Sequence, residues 1–268
     1  MGAVKTLDDI NTALADFSTE VEKIRNSPSD VDKAFRKAQI AMAATNLLGN
    51  ASGIGTALVM ERDKKEVKSK ITDLLTELQG AIDALQAPIA LLNTSKEWTN
   101  VQTQVNEARN WILTKAELRG FWSGGAAEAY LGKMQLQIAA TDTASEICGS
   151  VSNQLGIVSD AAWEFYSNVA ADLVSFFVDF TAALTKIATG VAAPIGISDV
   201  IDALAAIIKK VMDYGVKLGA VLMVQALAIK NMSSDIDNPR TFHKDKWPEI
   251  GADELNIDKP NDEKWSAR

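Results

Sequence analysis

The chain has 268 residues, 47% of them hydrophobic, and its 27 basic and 35 acidic side chains give a net charge of −8. That is enough apolar material for a sizeable core in one or two domains, and the acidic balance leaves no electrostatic footprint for nucleic-acid phosphates or anionic lipid surfaces. One cysteine, Cys148, excludes an internal disulfide and one histidine, His243, excludes a multi-histidine metal site, while few prolines and aromatics beside abundant alanine point to an all-α chain of long helices.

At the N-terminus, Asp8 and Asp9 fall where a secretory leader would carry its unbroken apolar region, so no classical signal peptide is expected. From Leu7 to Arg25 the residues Leu7, Ile10, Leu14, Phe17, Val21 and Ile24 recur at three- and four-residue steps, which predicts an amphipathic helix ended by Asn26-Ser27-Pro28-Ser29-Asp30. Ser29 or Asp30 then caps a second helix to about Leu48. Gly49-x-x-x-Gly53-x-Gly55 has the glycine spacing of a dinucleotide loop, but the alanine-rich helical stretch Ala38 to Leu48 stands where a strand is needed, so a turn between helices is expected.

A third helix is expected from about Thr56 to Leu92, with Val67, Ile71, Leu74, Leu78 and Leu85 on one face and a break at Asn93-Thr94-Ser95. A fourth, from about Lys96 to Phe121, carries Trp98, Val101, Val105, Ala108, Trp111 and Ile112, and ends at Gly120-Phe121-Trp122-Ser123-Gly124-Gly125. Beyond it, Ala126 to Thr189 contains no proline, so one helix or two collinear ones would span roughly 95 Å, the length of a rod. Gly190 and Pro194-Ile195-Gly196 make the next turn, and a last helix runs from about Val200 to Met232, for about six in all. Asp179, Lys186, Lys209, Lys210, Asp213 and Lys217 interrupt the most apolar stretches and disfavour a conventional membrane span. The division expected is N-terminal helices over 1–94, a helical hairpin with an apolar C-terminal helix over 95–232, and a charged, proline-containing, flexible tail over 233–268.

Little here carries catalytic chemistry. Cys148 sits among small and apolar residues with no cation to activate it, His243 lies in the charged tail, and Asp253-Glu254 and Asp262-Glu263 lack a pocket to separate their pKa values. No nucleophile elbow or phosphate loop is present, so neither an enzyme nor a cofactor is expected.

The tryptophan turn is more informative. Trp122-Ser123-Gly124-Gly125-Ala126-Ala127-Glu128-Ala129-Tyr130, set between two long amphipathic helices, resembles the WxG superfamily of type VII secretion substrates, whose longer members include the PPE proteins. The resemblance covers roughly Ser95 to Asp160 and continues weakly through Gly190 to Gly196. It implies an elongated helical bundle built on a Trp-x-Gly hairpin, with Trp122, Gly124 and Tyr130 as a partner or export motif. It further implies a helical protein partner or homo-oligomer, and signal-peptide-independent export from an actinobacterium-like cell. The family's export signature, tyrosine followed four residues later by Asp or Glu, is absent: Tyr130, Tyr166 and Tyr214 have Met134, Ala170 and Leu218 there. Either a partner supplies the signal or the chain is not itself a substrate. Two other readings stand beside this one: Trp122 merely plugs the end of a bundle, or Leu173 to Phe180 and Val191 to Ile208 form the buried apolar hairpin of a helical pore-forming toxin.

Overall fold

The computed structural model describes residues 5–46, 53–115, 122–236, 247–248 and 266–267. Over these the protein is all-α, with helices α1 (Leu7–Asn46), α2 (Gly53–Asp83), α3 (Ala87–Lys115), α4 (Gly125–Ala188) and α5 (Ala193–Ile236). Two residue pairs, β1 (Trp122–Ser123) and β2 (Ser266–Ala267), make a minimal antiparallel ladder. The five described helices are one fewer than the six expected, because the break expected at Asn26–Asp30 is helical, while the break expected at Asn93-Thr94-Ser95 lies earlier in the chain.

The first lies at Pro28, inside the 40-residue α1. Proline has no N–H to donate to the carbonyl four residues back, here that of Ile24, and an interior proline costs about 3 kcal/mol. The buried Ser27 hydroxyl donates to that same carbonyl at 2.7 Å, so the acceptor stays satisfied and the helix continues. Pro88 has the opposite outcome. Its partner carbonyl, that of Ala84, is taken by the Ala87 N–H at 2.9 Å in a turn over 84–86, and Pro88 falls in the first turn of α3, where a missing N–H matters least. The break thus comes at 84–86 and not at Asn93-Thr94-Ser95, which is helix interior. Pro194 likewise opens α5, which begins at Ala193, seven residues earlier than expected, and continues to Ile236.

Residues 1–89 and 159–221 form one compact unit. Asp32 of α1 binds Lys68 of α2 at 2.7 Å, and Asp160 and Trp163 of α4 bond the backbone of Lys5 and Asp9. Asp172 of α4 meets Lys210 and Tyr214 of α5, and Lys186 meets Asp199. With the Tyr166 ring bridging Phe17 of α1 and the Ala81 carbonyl of α2, the order of these pairs along the chain makes α1 and α4 parallel to each other and antiparallel to α2 and α5, a four-helix bundle. Its core follows alternating steps of four and three: Ile10, Leu14, Phe17, Val21, Ile24, Val31, Phe35 and Ala38 of α1 are buried, with Pro28 holding the step between Ile24 and Val31. Val67, Ile71, Leu74 and Leu78 of α2, Leu173, Phe176 and Phe180 of α4, and Val200, Leu204 and Ile207 of α5 keep the same rhythm. This 3.5-residue repeat is the seam of left-handed helix packing. At the α4–α5 corner Gly190 has φ +78°, and a Cβ on Gly196 would sit 2.6 Å from the Ala183 carbonyl oxygen, so only glycine permits this approach.

Residues 90–158 and 222–268 form the second unit. Here α3 and the first half of α4 run antiparallel, joined by Ser95 and Thr99 to Ser152, Gln102 to the Ser145 carbonyl, and Arg109 to Asp142. This is a polar seam. Leu92, Met134, Ala140 and Cys148 are its main buried apolar residues.

Ser27→Ala should cost about 1–3 kcal/mol in urea melts, the range for a buried acceptor left unpaired. In a Pro28→Ala background, where the backbone N–H returns, the same change should cost much less. Equal costs in both backgrounds would remove the proline from the explanation.

Candidate interaction surfaces

Trp122, Gly124 and Tyr130 lie within twelve residues of the described segment that follows 116–121, itself outside the described residues along with Met1–Val4, Gly49 to Ser52 and His243. Trp122 and Ser123 pair through their backbones with Ala267 and Ser266. Gly124 has φ +102° and its carbonyl accepts the N–H groups of Ala127 and Glu128, so it starts α4 in a conformation that a side chain strains. A Cβ there meets nothing within 4 Å; the demand for glycine is one of dihedral angle, not space. Tyr130 is half-buried on the second turn of α4. The turn thus joins Trp122 and Gly124 in one backbone feature, and Tyr130 follows on the helix that feature starts. Of the C-terminal residues the sequence marks as a tail, Pro248 accepts the Gln137 amide at 3.0 Å.

α3 carries a feature of its own. Trp98, Val101, Val105, Ala108 and Ile112 follow steps of three and four, the same seam that is buried throughout the first unit. None of them is buried: Val101 and Ala108 are exposed and the other three half-buried, and Trp111 beside them is 63% exposed. The α3–α4 contact uses the adjacent face, that of Ser95, Gln102 and Arg109.

In the first unit, a cleft of about 470 Å³ opens between α2, α4 and α5, floored by Gly80, Ala81 and Gly215 and walled by Phe165, Tyr166 and Met212. The Tyr166 hydroxyl donates to the Ala81 carbonyl at 2.8 Å, one of the last acceptors of α2 with no partner of its own in the helix. Its ring meets Phe17 edge-on at 5.0 Å. Burial pushes this phenol up to about 12, so it stays a proton donor at neutral pH. The Tyr214 phenol is also raised, first by its bond to the Asp172 carboxylate and then by burial. Asp172 receives both Tyr214 and Lys210, which commits it to holding α5 against α4. Burial raises the Cys148 thiol, the reverse of activation. These groups lock helices together; no base faces a nucleophile among them, and among the described residues no three metal-ligating side chains converge.

Sequence reasoning located the α3 stripe but did not say what covers it. The Tyr166 lock had no local signal, because its partner is a backbone carbonyl 85 residues away.

Tyr166 links stability to alkaline pH. Its folded pKa lies above the ordinary value near 10, so its contribution is complete below pH 10 and falls as pH rises toward 12, where only the unfolded chain ionises it. Stability by denaturant titration should decline over that window, and Tyr166→Phe should lessen the decline while lowering stability at pH 7. An unchanged slope in the variant would refute the assignment.

Compared with protein-family models, curated proteins and solved structures, the chain matches none.

Proposed function

We propose that this protein works by helix-face association with a helical protein partner, and that it belongs to type VII export as a substrate or as a substrate's companion. The observation carrying the association is the stripe Trp98, Val101, Val105, Ala108 and Ile112: a heptad seam on α3 in which Val101 and Ala108 are exposed and the other three only half-buried. A half-exposed seam of that regularity costs solubility unless a second helix closes it. The link to export rests on the resemblance carried by Trp122-Ser123-Gly124 and by Tyr130, and the left-handed Gly124 at the head of α4 supports a turn of the kind that resemblance implies. The missing Tyr-x-x-x-Asp/Glu signature is supplied by the partner on this reading.

One observation favours a second reading, the helical pore former. α4 includes an 18-residue window long and apolar enough to cross a membrane by length and composition, and 33% of that window is buried. Val174 and Val178 are exposed on it beside a groove that also holds Lys23 and Phe177.

The test is expression of the tagged full chain in an actinobacterial host with a type VII apparatus, comparing culture filtrate with lysate. Wild type should reach the filtrate. Trp122→Ala should lose export while its urea melt shifts little, and Val105→Glu should lose the complex seen by native mass spectrometry while its circular dichroism is kept. If Trp122→Ala instead costs about 3–5 kcal/mol and export falls only in proportion, the indole is a structural plug. Wild type confined to the lysate would end the export reading.

A further inference from the structure

The cleft between α2, α4 and α5 lies wholly within the first unit and is used by neither the α3 stripe nor the Trp122 turn. Its floor poses a question. Gly80 and Gly215 both stand inside helices, neither has a positive φ, and a Cβ on either meets nothing within 4 Å, so no dihedral angle and no close approach requires glycine there. Glycine is a poor helix former, and alanine would serve both helices better. What the two glycines share is the space they leave: both open on one cavity of about 470 Å³, within the size range of small-molecule sites.

The walls define what fills it. Phe165 and Tyr166, both buried, line the cleft with their rings 5.3 Å apart at 87° to each other. Glu77 is the one charge among the described residues lining it. Asp83 ends α2, whose last turn holds no basic residue, so the negative end of the helix dipole adds to the field of Glu77. The nearby charges of α5 do not reverse this: Lys210 is held by Asp172, Lys217 lies over the Tyr214 ring, Lys209 and Asp213 oppose each other in sign, and none of the four lines the cleft. Aromatic walls beside a carboxylate attract an ammonium group, by the ring quadrupole and by ion pairing.

We infer that this cleft is a binding site for a small organic cation, an ammonium group held by Glu77 and the Phe165 and Tyr166 rings and carrying an apolar body that lies over Gly80 and Gly215. Other occupants fit less well. A metal ion would find one carboxylate where several oxygen ligands are needed. An anion would meet Glu77, and the Tyr166 hydroxyl is already spent on the Ala81 carbonyl. The stretch of α2 that lines the cleft, Glu77 to Ala84, is about 11 Å long at 1.5 Å per residue, room for an arylalkylamine and too short for a docked helix.

The experiment uses the full chain and three probes of one shape, 3-phenylpropylammonium, 3-phenylpropanol and 3-phenylpropionate, in calorimetric titrations at physiological salt. The ammonium should bind one to one. An exposed ion pair and a cation–π contact together amount to about a tenfold factor, so the alcohol should bind about tenfold more weakly and the carboxylate more weakly still. Glu77→Gln should narrow the preference for ammonium over alcohol to about threefold, the share left to the rings. Gly215→Leu places its side chain in the cavity and should weaken the ammonium at least about fivefold, with circular dichroism kept, since nothing stands within 4 Å of the added Cβ. Gly80→Leu fills the same space from α2 and gives the same reading if the first variant fails to fold. Four results overturn the inference: no binding of the ammonium at millimolar concentration, equal binding of the three probes, a preference that Glu77→Gln leaves unchanged, or binding that a folded leucine variant leaves intact, which would place the cation elsewhere on the acidic surface.

Discussion

The bond from the Ser27 hydroxyl to the Ile24 carbonyl holds the first unit in register. Without it, Pro28 leaves a buried acceptor unpaired at the midpoint of α1, and the apolar steps on either side have no reason to stay on one face. With it, Ile10 and Ala38 belong to a single stripe on one continuous helix against which the unit's core is built. The helix boundaries of the chain turn on the same accounting at every helical proline: the carbonyl four residues back is claimed by a serine side chain at Pro28, and by a backbone N–H at Pro88 and Pro194. Where a side chain claims it, the helix continues. Where the backbone claims it, the chain turns.

The two units use different cements. In the first, aromatic and branched side chains fill a heptad core, and polar contacts such as Lys210 and Tyr214 on Asp172 sit at its margin. In the second, the α3–α4 bonds come from serine, threonine and glutamine and from the Arg109–Asp142 ion pair, groups that fix register but contribute little net stability each. The apolar stripe of α3 is consequently only half covered, with Val101 and Ala108 exposed. That is the face the proposed helix association uses.

Helix type was legible throughout, since the 3.5-residue spacing of Leu, Ile, Val and Phe survives in every element. Boundaries were less legible. The unbroken rhythm from Ile10 through Ser27-Pro28 to Ala38 was a sign that α1 continues, but Pro28 with Asn26 and Asp30 reads locally as a turn, and only the Ser27 rotamer resolves the conflict. Asn93-Thr94-Ser95 misled for a related reason. These residues favour caps by bonding their own backbone, yet Ser95 spends its hydroxyl on Ser152, 57 positions away. Gly124 was readable as a turn glycine. The exposure of α3's stripe was not, because a heptad spells a seam without saying which helix closes it.

The polar seam of the second unit has a kinetic consequence. Hydrogen bonds between hydroxyls and carbonyls can be exchanged for water one at a time, whereas a core of interlocked phenylalanines must open together. Backbone amides of α3 around Gln102 and Arg109 should therefore exchange with solvent faster than those around Phe17, Leu74 and Phe176, which need cooperative opening of the core.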